Sequence, residues 1–263
     1  MLKIFRKVRQ ELFASGLTKS RGARVRKYLL YAMGEIILVV IGILIALQFN
    51  NQNTRNSTFQ KQENHLRLIV GEMKNNLNAL REEEENLETL INSQRLLINL
   101  MNSDTAMVAV NENDLSGLLL LPMSREISVH YESGALTELL ASGGLKDIKN
   151  DSIRSVLASW QGRLKGVRGQ EKALRESLTE TNQFISQHGN FGVIFNDIGF
   201  AEDLEVDLNT QGGSNKQVLQ SRQFLNILLN YIAVADNLQK RTYRFYERDL
   251  EALIDLIDTE LKK

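Results

Sequence analysis

Cysteine is absent from this 263-residue chain, and proline and tryptophan occur once each. Without cysteine there are no disulfides, no thiol nucleophiles and no thiolate metal sites. The near-absence of proline removes the usual helix breaker and predicts long uninterrupted helices. Histidine is scarce too: His65, His130 and His188 lie on separate segments, without metal-ligand spacing. Chemical motifs are equally thin. GNFGVIFNDIG at 189–199 lacks the lysine and spacing of a phosphate loop. DLEVDLN at 203–209 offers oxygens without the glycine and terminal glutamate of a calcium loop. No serine sits in a nucleophile elbow. The sequence therefore assigns no catalytic residue, no metal ligand and no cofactor.

What is present is an uneven charge. The net charge is zero, yet residues 1–27 hold nine Lys/Arg against the single acid Glu11, a balance of +8. The rest of the chain holds 23 basic and 31 acidic residues, a balance of −8. Between these halves runs YLLYAMGEIILVVIGILIALQF, Tyr28 to Phe49, 22 residues with one charge. As a helix it extends about 33 Å, enough for a hydrocarbon core of about 30 Å. Four basic residues crowd its N-terminal flank between Arg21 and Lys27, while Asn50 to Asn53 are uncharged. The positive-inside rule places the N-terminus in the cytoplasm. A cleaved signal peptide is the competing reading, but no small-x-small site follows the apolar run. Leu2, Phe5, Val8 and Leu12 have helical spacing, which suits a short basic helix on the inner leaflet or, alternatively, a plain basic tail. The membrane accounts for the basic residues, so no nucleic-acid partner is expected.

The one charge in the span is Glu35. It falls about 10 Å along the helix from Tyr28, where an ionised carboxylate is expensive. At about 100° per residue, Tyr28, Tyr31, Gly42, Ala46 and Phe49 share a stripe with Glu35. Small-xxx-small pairs bring helix backbones together, and polar side chains bond across such contacts. Three readings stand open: a membrane helix interface through Tyr28, Tyr31, Glu35, Gly42, Ala46 and Phe49; a snorkelling carboxylate; and a proton or ion pathway. The interface implies a homo-oligomer or a partner membrane protein, with lipid around the rest.

Beyond the span, the 4-3 series Leu66, Val70, Met73, Leu77, Leu80, Glu84, Leu87, Ile91, Gln94, Ile98, Met101 is apolar at nine of eleven positions. That is a coiled-coil-like seam. A second runs Leu225, Leu229, Ile232, Asp236, Gln239, Tyr243, Tyr246, Leu250, Leu253, Ile257, Glu260, apolar at eight. A third long helix is predicted from Asp151 to Gln187. Asp114 is a candidate cap for LSGLLLL and Ser133 for GALTELLA, which Gly143-Gly144 would end. Residues 188–214 are Gly-rich and β-flavoured, with a strand expected at FGVIF and either TAMVAV or REISVHY as its partner. The acidic run Glu82–Glu85 and the basic run Lys240, Arg241, Arg244, Arg248 are either solvated faces or blocks that meet between antiparallel helices. In the latter case Arg163, Lys165, Arg168, Lys172 and Arg175 compete for the same acids.

KYLLYAMGEIILVVIGILIALQFNN at 27–51 resembles the N-terminal signature, YLLYAxGEIxLVxIGILxALQxNN, of a family of uncharacterised single-span membrane proteins of Gram-negative bacteria. YESGALTELLASGGLKDIKNDSIRSVLASW at 131–160 is similar to a second block of that family. Gln52 stands where the family often has tryptophan, and Gly144 where it often has lysine. The resemblance implies an inner-membrane anchor with a periplasmic domain and supplies no catalytic residue. The expected protein is all-α: 1–27 a basic cytoplasmic segment, 28–49 a transmembrane helix, and 50–263 an external bundle of long antiparallel helices with a minor irregular region. Its expected role is interaction, scaffolding or sensing rather than catalysis. The alternatives are an accessory to a proton-driven membrane machine with Glu35 titrating, and an enzyme with its site in 188–214.

Overall fold

The computed structural model describes residues 21–208 and 213–263. The proposed amphipathic helix around Leu2, Phe5, Val8 and Leu12 lies outside them. The described residues are all-α, in two compact units that divide between Lys61 and Gln62.

Helix α1 carries Arg21–Met101. The Asn-rich stretch NNQNTRN, a run of poor helix formers, stays helical, and Thr54 Oγ1 donates to the Asn50 carbonyl one turn back (3.0 Å). The first unit contains the span Tyr28–Phe49. Among the described residues this is the one stretch long and apolar enough to cross a membrane, and none of its apolar window is buried in the protein.

In the second unit, α1 packs with α5 (Asp151–His188), α8 (Arg222–Asn237) and α9 (Arg244–Glu260). The α1 seam is largely as expected: Leu66, Met73, Leu80, Leu87 and Ile91 are almost fully buried. Ion pairs fix an antiparallel register against α9. Arg81 bridges Glu247 (2.7 Å) and Glu251 (2.6 Å) and Lys74 meets Asp258 (3.0 Å), and in the turn before α9 Gln239 donates a hydrogen bond to Glu88 (2.7 Å). These contacts replace the meeting of charge blocks that the sequence suggested. Lys240 pairs within its own helix with Asp236, and Glu83 accepts from the Ser128 amide (2.7 Å). Arg244 acts on Glu84 at longer range, easing a carboxyl whose pKa burial and Glu247 push up. The α5 cations go elsewhere as well: Arg163 to Asp249 and Arg175 to Glu126.

Shorter elements close the bundle. These are α2 (Asp104–Ala109), α3 (Glu112–Ser124), α4 (Gly134–Ala141), α6 (Phe191–Asp197) and α7 (Phe200–Asp203). The cap of α3 is Asn111, which accepts from the Asp114 amide (2.7 Å), so Asp114 is a first-turn residue rather than the cap. Ser133 occupies the cap position of α4 without a capping bond. Glu72, reaching across from α1, accepts from the Ala135 (2.5 Å) and Leu136 (3.3 Å) amides instead. Gly143 ends that turn at φ +69°, a conformation that favours glycine.

No strand occurs among the described residues. FGVIF is helical in α6. Asn190 caps it, Val193 and Ile194 enter the core, and Phe191 stacks on Phe195 one turn on (5.7 Å between centroids). Most of TAMVAV is α2. REISVHY is extended, but its polar partners are side chains of neighbouring helices. Asn76 receives the Glu132 amide (2.6 Å) and donates to the Glu132 carbonyl (2.8 Å). An extended strap pinned by helix side chains needs no partner strand.

Candidate functional site

The stripe residues of the span all lie on α1. Tyr28 and Phe49 are among the most exposed large side chains in the protein, Glu35, Gly42 and Ala46 are exposed, and Tyr31 is half-buried. A Cβ added at Gly42 would meet nothing within 4 Å, so no described residue packs against it.

A second place gathers polar chemistry, and the sequence did not single it out. On α5 the residues Ile153, Leu157, Trp160, Leu164, Val167, Glu171, Leu174 and Leu178 follow 4-3 spacing, and all are buried. Glu171 is the lone charge in that series and is 2% exposed. Two phenols reach it: Tyr243 donates at 3.0 Å and Tyr131 at 3.2 Å. Tyr131 comes from the extended strap at 125–133. Tyr243 ends a π-helical turn, Leu238–Tyr243, between α8 and α9. Such a turn inserts one residue and swings the side chains after it, and it is frequent at functional sites. Tyr246, one turn further on, packs edge-on against Tyr131 (5.4 Å) and tilted on Trp160 (5.5 Å).

Burial is the main influence on Glu171 and raises its pKa. The hydrogen bonds from Tyr243 and Tyr131, the Val129 amide and the more distant Arg168 oppose it without prevailing. The same burial, with the carboxylate alongside, pushes both phenols far above their usual range, so they remain donors. Three segments of chain thus meet on one carboxylate.

Above it, between the strap and α5, lies a cavity of about 510 Å³. Its polar wall is Ser128, His130 and Glu132 from the strap and Arg168, Glu171 and Arg175 from α5. Small-molecule sites occupy about 300–1,000 Å³, and this volume falls within that range.

The histidines do not converge. His188 stacks on Phe184 (4.2 Å), and His130 borders the cavity. Among the described residues no group of three His, Asp or Glu is placed to hold a metal ion. Residues 188–208 form short helices. Their polar contacts, such as Ser116 with Asp197 (2.7 Å) and Asn215 with the Asn190 amide (2.6 Å), tie the chain to itself.

No family model, no curated protein and no solved structure matches this chain.

Proposed function

We propose that this protein is a single-pass membrane protein whose helical domain senses or scaffolds, without catalysis of its own. The reading places its N-terminus in the cytoplasm and its C-terminal domain in the periplasm of a Gram-negative cell. One observation carries the anchoring: the apolar window of Tyr28–Phe49 is entirely unburied. A contiguous exposed surface of that size needs lipid or a partner, and the basic flank from Arg21 to Lys27 suits an anionic inner leaflet. The resemblance of residues 27–51 to single-span inner-membrane proteins agrees with it. Sensing is favoured by the cavity over Glu171, which joins the strap, α5 and the π-helical turn.

Lacking cysteine, the chain suits labelling. Lys7→Cys and Lys263→Cys variants are treated in intact spheroplasts with a membrane-impermeant maleimide. The expected result is labelling at position 263 and none at position 7 until the membrane is opened. Equal labelling at both, or release of the protein by alkaline carbonate, overturns the anchored N-in reading.

A further inference from the structure

We infer that the cavity between the strap and α5 is a binding site for a small organic monocarboxylate, docked on Arg168. The inference deepens the sensing reading above and rests on which polar groups of the wall are already engaged. Glu171 receives Tyr131 and Tyr243. Glu132 accepts from Asn75 (2.9 Å), and Arg175 pairs with Glu126 (2.5 Å). Arg168, the His130 ring and the Ser128 hydroxyl have no hydrogen bond or ion pair among the described residues. The donors left uncommitted are these three, and one of them carries a permanent positive charge, while Glu132 and Glu171 are each engaged through one oxygen. A planar guanidinium fork matches a carboxylate in bidentate geometry. Ser128 and His130 line the same cavity from the strap.

Glu171 sets the limit on ligand charge. It lies one turn from Arg168 on the same face of α5, directly in the wall. A dianion such as phosphate meets more repulsion from it than a monoanion does. A cation is repelled by Arg168, and Glu171 is engaged through Oε1 by both phenols. Val129 and Tyr131 supply an apolar side for a short carbon skeleton.

The experiment is isothermal titration of the full chain in detergent micelles with butyrate, inorganic phosphate and butylamine. Butyrate is expected to saturate with Kd about 1 mM or tighter, phosphate to bind more weakly, and butylamine to give no saturable heat. Arg168→Gln should weaken butyrate at least about tenfold, and Arg168→Lys should recover part of the loss. Arg168 is exposed and unpaired, so neither variant threatens the fold, and an unchanged melting curve checks this. Any of three outcomes overturns the proposal: no saturable heat from butyrate by about 10 mM, tighter binding of phosphate than of butyrate, or equal affinity in Arg168→Gln. None of these touches the maleimide result, so failure of the site and failure of the membrane anchor are told apart.

Discussion

A carboxylate with almost no contact with water gives up hydration worth several kcal/mol, and Glu171 recovers part of it from two phenols and a backbone amide. Burial outweighs the donors, so the pKa stands above the ordinary 4.5. The direction of the pH effect follows. A raised folded pKa gives a stabilising contribution that is complete below the unfolded value and is lost as pH rises through the folded one. The wild type should therefore gain stability relative to Glu171→Gln as pH falls from about 8 to about 5. The glutamine keeps an oxygen for Tyr131 and Tyr243, so this variant melts at or above the wild-type temperature at the upper pH, and the gap closes on acidification. Melting curves at both ends of that range decide it; a gap that does not move would show that Glu171 is ionised with an unshifted pKa. In the sequence the residue was legible only as an interruption. The series from Ile153 to Leu178 is apolar except at position 171, and a single acid in a core position asks for donors. Those donors, Tyr131 and Tyr243, are 40 and 72 residues away, a distance no local pattern spans.

At the scale of elements, the C-terminal seam shows where periodicity succeeds and where it slips. From Tyr243 onward the series Tyr246, Leu250, Leu253 and Ile257 is the buried face. Before it, the buried series is Phe224, Leu228, Tyr231, Ala235 and Leu238, with Ile227 beside it, each member of the series one position earlier than the 4-3 series extrapolated backward, and Leu229 is 49% exposed. The π-helical turn at Leu238–Tyr243 absorbs that one residue. A pattern counted with a constant period cannot register an inserted residue, so the slip and the turn are one fact. Deleting Lys240, which is exposed within the turn, should therefore let α8 and α9 run on as one α-helix with both buried faces kept. That variant is expected to fold with little loss of melting temperature. Deleting Arg248, equally exposed but inside α9, rotates the residues on one side of it by about 100°. Leu250, Leu253 and Ile257 would then leave the core, at about 2–5 kcal/mol each, against a total stability of about 5–15 kcal/mol. Circular dichroism melts of the pair test this, and equal destabilisation would mean the turn is not an insertion. The helices α1 and α5 were legible for the complementary reason: their periods are unbroken and proline-free. FGVIF misled because five apolar and small residues fit a short buried strand or a short helix equally well. Asn190 and the Phe191–Phe195 stack decide for the helix.

For the whole molecule, the open question is what covers the span. On the anchored reading proposed above, lipid would cover Ile36, Ile37, Val40, Ile43 and Leu44 at no cost, since acyl chains are as apolar as these side chains. Glu35 is different: wherever it sits within the bilayer it needs protonation, a partner or a route to the headgroups. Tyr31 lies one turn before it, and Gly42 and Ala46 on the same stripe leave room for a second backbone. If that stripe joins two copies, oxidation in native membranes should cross-link Tyr31→Cys, Glu35→Cys, Gly42→Cys, Ala46→Cys and Phe49→Cys, with Ile37→Cys and Leu44→Cys far less reactive. Uniform or absent cross-linking sinks self-association and leaves a different membrane protein as the partner to be captured. The acid itself is then tested in the background of Ala46→Cys by adding Glu35→Gln. A glutamine amide still donates and accepts across an interface, so cross-linking should persist within about twofold, a change of about 0.4 kcal/mol. A proton pathway would differ in flux, not in cross-linking. Glutamine cannot release a proton, so the assembly would form as before while proton flux through reconstituted vesicles disappeared. Persistent cross-links with no flux in either form assign Glu35 to holding helices together.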